Sequence, residues 1–173
     1  MPSLTKKQCI AENLKICKFV VSENLKVNGA EPIYEISAFS EVNRYSSIIE
    51  NVAAESGVDV RLIRSIMYME TTHGYYDAPL SLLGQNKSIL PMNVNVDYWG
   101  SIFGDRKTLL NPYNNIKAGA EILKRIIVNL PKGSSIRQIA TLYNNINANS
   151  VNEYGARVDN IYNSQPWNLS NKK

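Results

Sequence analysis

Asp59-Val60-Arg61-Leu62-Ile63-Arg64-Ser65-Ile66-Met67-Tyr68-Met69-Glu70-Thr71-Thr72, followed by His73-Gly74, carries three helix signals. Asp59 is a good N-cap, because its side chain accepts from the free amides of a first turn. Gly74 is a good stop just past the last turn. Leu62, Ile63, Ile66 and Met67 recur at helical spacing and define one apolar face. Glu70 lies four residues after Ile66 and three after Met67, so it takes the next place on that face. A carboxylate there loses water, which disfavours its charged form and raises its pKa. A carboxyl group that keeps its proton near neutral pH can act as a general acid. The alternative is an ion pair with an Arg or Lys, or a place at the stripe's edge with the head in water.

Working outward, Tyr45, Ile48, Ile49, Val52 and Ala53 form a second helical stripe, closed by Ser56-Gly57. So short a connection to the Glu70 helix predicts an αα-hairpin. From Tyr75 to Leu110 helical periodicity disappears, and Pro79, Gly84, Pro91, Gly100 and Gly104 interrupt the chain. Tyr75, Tyr76, Tyr98, Trp99 and Phe103 argue against disorder there. The expectation is a long irregular loop, with one small β-hairpin, walling the Glu70 end. Asn111-Pro112 opens a strong helix with Ile116, Gly119, Ala120, Leu123, Ile126, Ile127 and Leu130 on one face. Gly119 and Ala120 are small, as the close approach of another backbone requires. Ser134 or Ser135 caps a helix with Ile136, Ile139, Ala140 and Tyr143 inward. Ser150 starts the last one, with Val151, Tyr154, Val158, Ile161 and Tyr162. Residues 164–173 form a polar tail that should fray unless Trp167 ties it down.

Residues 5–26 carry Cys9, Ile10, Leu14, Cys17, Val20, Val21 and Leu25 at helical intervals. The reading is an amphipathic helix packed on the body, with a partner-docking face as the alternative. Cys9 and Cys17 would stand roughly 12 Å apart along such a helix, too far to pair. They are expected to be buried small hydrophobes in a protein made in a reducing compartment. Val27 to Pro32 reads as a turn, and residues 33–41 are ambiguous.

At 173 residues the chain suits a mainly α single domain, with 44% hydrophobic and 20% charged residues. The net charge of +4 is mild and permits an anionic partner without selecting one. Basic residues are scattered, so no nucleic-acid patch is read. No apolar run approaches the about 18 residues that span a bilayer, so no membrane insertion is expected. The N-terminus lacks the apolar core of a signal peptide. His73 is the one histidine and the cysteines are distant, so neither a metal nor a cofactor is expected.

An ordered set of motifs resembles a known family. They are Met69-Glu70-Thr71-Thr72-His73-Gly74, Ile89-Leu90-Pro91-Met92-Asn93-Val94, Asn111-Pro112 with Asn115-Ile116 and Gly119-Ala120, Ile139 to Asn145, and Tyr154 to Val158. Together, over roughly residues 45–162, they look like the catalytic domain of soluble lytic transglycosylases, a lysozyme-like fold related to goose-type lysozymes. The family shows Glu-Ser, Gly-Leu-Met-Gln and Tyr-Asn-Ala-Gly where this chain has Glu70-Thr71, Leu90-Pro91-Met92-Asn93 and Tyr143-Asn144-Asn145-Ile146. Pro91 brings a fixed φ to the groove segment.

The resemblance implies residues 45–163 as the catalytic domain, with 1–44 as an N-terminal helical extension. It implies Glu70 as the acid and then base that cuts the bond between N-acetylmuramic acid and N-acetylglucosamine, closing a 1,6-anhydro ring. Tyr143 would touch the acid or the sugar, Met92 and Asn93 would line the groove, and Thr71 and Asn144 follow by position. Tyr75, Tyr76, Tyr98 and Trp99 are candidate stacking rings, with roofing of the core as the alternative for two or more of them. Direct hydrolysis would need a second acid, for which Asp97 and Asp77 are the candidates. It would stand about 6.5–9.5 Å away to hold a water, or about 5–5.5 Å as a nucleophile. A non-catalytic wall-binding module is the other class of reading. Without a signal peptide, the implied route to peptidoglycan is a contractile secretion system or phage holins. An immunity protein or a component of the secretion apparatus is then the expected partner besides the glycan strands.

Overall fold

In the computed structural model, which describes residues 3–29, 38–76 and 88–171, the Glu70 helix is α4, Val60–Tyr76. Side chains at 38–40, 72–76, 88 and 169–171 lie outside that description. Asp59 caps α4 as expected, accepting from the Arg61 amide at 2.9 Å. Gly74 does not end it. A glycine inside a helix costs only about 0.5–1 kcal/mol relative to alanine, and it terminates one only when the backbone turns left-handed.

Every residue from Ser65 to Thr71 is buried, including Tyr68 and Met69, which lie off the expected stripe. A helix buried all round needs neighbours on all sides. Helices α2 (Ala38–Arg44), α3 (Ser46–Ser56) and α9 (Glu153–Ser164) pack against α4. The long helix α7 (Pro112–Asn129) packs on α3 and on α8 (Ile136–Asn144), and α8 lies along α9. Gly155 makes that last approach possible: a Cβ there would stand 2.2 Å from Thr141 Oγ1 and 2.3 Å from the Arg137 carbonyl. The architecture is mainly α, and no helix among the described residues is long and apolar enough to cross a membrane.

The expected small hairpin is present as β1 (Ser88–Ile89) and β2 (Val94–Asn95), antiparallel, with Ile89 opposite Val94. The rest of the expected loop is not all irregular. It contains α5 (Val96–Phe103) and α6 (Arg106–Leu109), capped by Asn95 on Tyr98 N and by Asp105 on Thr108 N. Helices of eight and four residues are too short to display a period.

Helix α7 buries Ile116, Gly119, Ala120, Leu123 and Ile126 as read, whereas Ile127 is 36% exposed. Ser135 caps α8, and Asn152 rather than Ser150 caps α9. Trp167 does tie down the C-terminal segment: it is buried, in a 3₁₀ turn at Pro166–Asn171, with its ring 6.5 Å from that of Tyr68.

The N-terminal reading fails in an instructive way. Only α1, Lys6–Ala11, is helical, and Asn13 turns left-handed just beyond it. The chain then doubles back, Cys9 and Cys17 come within 6.4 Å at their Cα atoms, and they form a disulfide. Buried Asn129 holds the return, donating to Leu14 O at 2.7 Å and accepting from Cys17 N at 3.0 Å. Lys18 just beyond it is left-handed, and the chain then runs on to a β-bridge at Ser22. Phe19 and Val21 point inward while Val20 is 70% exposed, and Ser22 pairs with Ser150. Burial alternates from Phe19 to Ser22, a two-residue period that the unbroken apolar run Phe19-Val20-Val21 hides in the sequence.

Replacing the disulfide, C9S/C17S, is expected to lower the unfolding free energy by about 2.5 kcal/mol, from the loop entropy returned to the unfolded chain. Urea denaturation of the variant, and of the wild type with reductant, should show the same shift of midpoint.

Candidate functional site

The site is built from the hairpin outward. Asn115 of α7 is fully buried and satisfies three backbone groups there. It accepts from Met92 N at 2.9 Å and donates to Ile89 O at 2.8 Å and Leu109 O at 3.1 Å. The Met92 side chain packs on Gly119, where a Cβ would stand 2.8 Å from its Cβ. The small residue of α7 therefore admits a side chain, not the backbone expected from sequence. Tyr143 of α8 donates to Met92 O at 2.7 Å, so both polar backbone groups of Met92 are held.

The next residue, Asn93, takes a left-handed φ of 57°, which asparagine tolerates better than most residues. Its side-chain amide donates to Glu70 Oε2 at 2.7 Å. From the far side, Tyr154 of α9 donates to Glu70 Oε1 at 2.5 Å. Glu70 is 3% exposed, so these bonds are made almost out of water. Burial disfavours the charge on a carboxylate, while donated hydrogen bonds favour it. The phenols are clearer. Burial first, and the nearby Glu70 charge second, push Tyr143 and Tyr154 well above the ordinary tyrosine pKa. Both remain protonated donors across the neutral range.

A cleft of about 260 Å³ opens beside Glu70. The amides Asn93, Asn95, Asn144, Asn145 and Asn147 line it, with the rings of Tyr98, Trp99 and Tyr143 and the apolar Val94, Ile122, Leu142 and Ile146. Among the described residues, Glu70 carries the one carboxyl group in that lining. Trp99 meets Tyr98 edge-on, with ring centroids 4.6 Å apart. Among the described residues, the arrangement places one carboxyl group, held by neutral donors, beside a wall of hydrogen-bonding amides and flat apolar faces.

Of the residues singled out from sequence, Glu70, Asn93, Tyr98, Tyr143 and Asn144 meet in this cleft. Met92 does not line it; its side chain is wholly buried beneath, because Gly119 leaves room there. Thr71 does not line it either. It is buried on the helix, its hydroxyl donating back to Met67 O at 2.9 Å and Tyr68 O at 3.2 Å. Asp97 is exposed in the first turn of α5 and outside the lining, and Asp77 lies outside the described residues. The side chains of Tyr75 and Tyr76 also fall outside that description.

Sequence reasoning missed Tyr154 as a partner of the acid and Asn115 as the clamp of the hairpin. The sequence marks Tyr154 as an inward residue and a motif position, and a buried phenol needs a hydrogen-bond partner. Asn115 stands on the buried face of α7 beside Ile116, and a buried amide likewise signals backbone groups to satisfy. The run Asn144-Asn145-Ile146-Asn147 carried a readable excess of amides. No group of His, Cys, Asp and Glu suited to hold a metal occurs among the described residues.

The raised phenols have a consequence for stability. An unfolded tyrosine titrates near 10, and the folded pair stays protonated above that, so the native state binds more protons there. Their contribution is fully present below about pH 10 and is lost as pH rises through the folded values. The unfolding free energy should fall above about pH 10, by up to about 1.4 kcal/mol per pH unit for each tyrosine. Urea titrations of wild type and Y154F should differ in that slope, and equal slopes would contradict the assignment.

No family model matches the chain, and no curated protein or solved structure matches it. The site therefore has to be read from its own chemistry.

Proposed function

We propose that the protein is a peptidoglycan-cleaving muramidase of the lytic transglycosylase type, on a lysozyme-like helical fold, with Glu70 as acid and base. The observation that carries this reading is a buried carboxyl group, held by Asn93 and Tyr154, at the wall of a cleft whose other described lining residues are amides, aromatic rings and aliphatic side chains. Neutral amides match the hydroxyl and acetamido groups of amino sugars, and flat rings match sugar faces.

In this reading protonated Glu70 delivers its proton to the glycosidic oxygen, and the bond from that oxygen to the sugar's C1 breaks. The resulting carboxylate takes the proton of the C6 hydroxyl on the same N-acetylmuramic acid. That oxygen bonds to C1 and closes the 1,6-anhydro ring. No water is consumed, Glu70 ends protonated, and no second protein carboxylate is needed. The donors Asn93 and Tyr154 support the stage in which Glu70 is charged. The Cys9–Cys17 disulfide supports action in an oxidising compartment such as the one that holds the cell wall. Delivery by a contractile apparatus or a holin, and an immunity protein that occludes the cleft, belong to the same proposal.

E70Q keeps the size of the side chain and removes the transferable proton, so it should abolish release of soluble fragments from purified sacculi while the variant still binds them. Mass spectrometry of the wild-type digest should find 1,6-anhydro ends. Reducing ends would replace the proposal with hydrolysis, and binding without any fragments would replace it with a wall-binding module.

A further inference from the structure

Helix α1 is remote in sequence from the Glu70 site, yet both of its lysines reach the borders of the cleft. Lys7 Nζ stands 3.9 Å from the centroid of the Tyr98 ring, and Tyr98 lines the cleft from α5. Lys6 Nζ donates to the Ala148 carbonyl at 2.8 Å, immediately after the lining run that ends at Asn147. These borders belong to different elements, α5 and the loop leaving α8, so one short helix spans the space between them.

The span is firmly held. Cys9 and Ile10 are buried beneath it, and Arg125 of α7 donates to Ile10 O at 2.8 Å. The disulfide to Cys17 ties α1 to the segment that Asn129 clamps on α7. The contact between an ammonium and a ring face occupies one face of Tyr98, so that face is closed to a sugar.

We propose that α1 closes this end of the cleft, so that a glycan strand seats its terminus against α1 and is cut a short, set distance from that terminus. The inference rests on the reading of the cleft as a glycan groove. A groove open at both ends lets a strand run through and be cut at internal bonds; a helix braced on both borders stops it. The ammonium groups of Lys6 and Lys7 also supply donors to the hydroxyls of a terminal sugar.

The test is a time course of purified sacculi digested with the full-length protein, the fragments being sized by chromatography and mass spectrometry. Wild type should release short, disaccharide-sized units from the first time point. K6A/K7A removes both braces, and C9S/C17S frees the segment by an independent route. In each variant that remains folded by thermal melt, the early products should shift to long oligomers. Long oligomers from wild type at the outset, or unchanged product sizes in K6A/K7A, overturn the closure and leave cleavage by Glu70 standing. No soluble product from wild type overturns both the reading of the cleft and the closure.

Discussion

A carboxyl group placed where water scarcely reaches sets the terms for everything around it. A buried polar group left without its hydrogen-bond partner costs about 1–3 kcal/mol. That is a large share of the stability of a domain of this size. Glu70 avoids the penalty through donors from two separate elements, the hairpin turn at Asn93 and the last helix at Tyr154. The fold has to bring a turn, a central helix and a C-terminal helix to one point. Its close packing between α8 and α9, permitted at Gly155, serves that convergence.

The hairpin is the weakest of these pieces on local grounds. It has two residues in each strand, and Asn93 adopts a left-handed conformation that costs L-residues roughly 1–2 kcal/mol. Against this, Asn115 makes three hydrogen bonds to the hairpin and the end of α6, and Tyr143 makes a fourth to Met92 O. At about 1 kcal/mol net each, they outweigh the local cost. The turn is thus imposed from α7 and α8, and the aim of the Asn93 amide at Glu70 is a property of the packed molecule.

The chemistry of the cleft follows from what the described residues place in its wall. A site for phosphate or nucleic acid would present lysines and arginines along its length. Among the described residues the lining offers amides and rings, and Lys7 and Lys6 of α1 reach the Tyr98 ring and the Ala148 carbonyl beside it. Such a lining offers hydrogen-bond donors and acceptors beside flat apolar faces, with Glu70 among them. The N-terminal segment, which sequence alone set apart as an extension, is stitched to the body through Asn129 and Arg125.

Much of this was legible without coordinates. The stripe of Leu62, Ile63, Ile66 and Met67, the cap at Asp59 and the proline start at Pro112 are local signals, because helix periodicity and capping act over a few residues. The same logic placed Glu70 on a buried face and made its carboxyl group the centre of interest. It failed where the deciding contact came from far along the chain. Cys9 and Cys17 pair because Asn129, more than a hundred residues later, captures the backbone that turns between them. Tyr154 meets Glu70 across a separation of 84 residues. Met92 and Thr71 turn away from the cleft because Gly119 and the turn behind Thr71 receive them. The sequence by itself determined the helices and the candidate acid, since those rest on nearest-neighbour geometry. Tertiary structure alone decided the donors and the cleft, since each needs groups that only three-dimensional packing brings within hydrogen-bond reach.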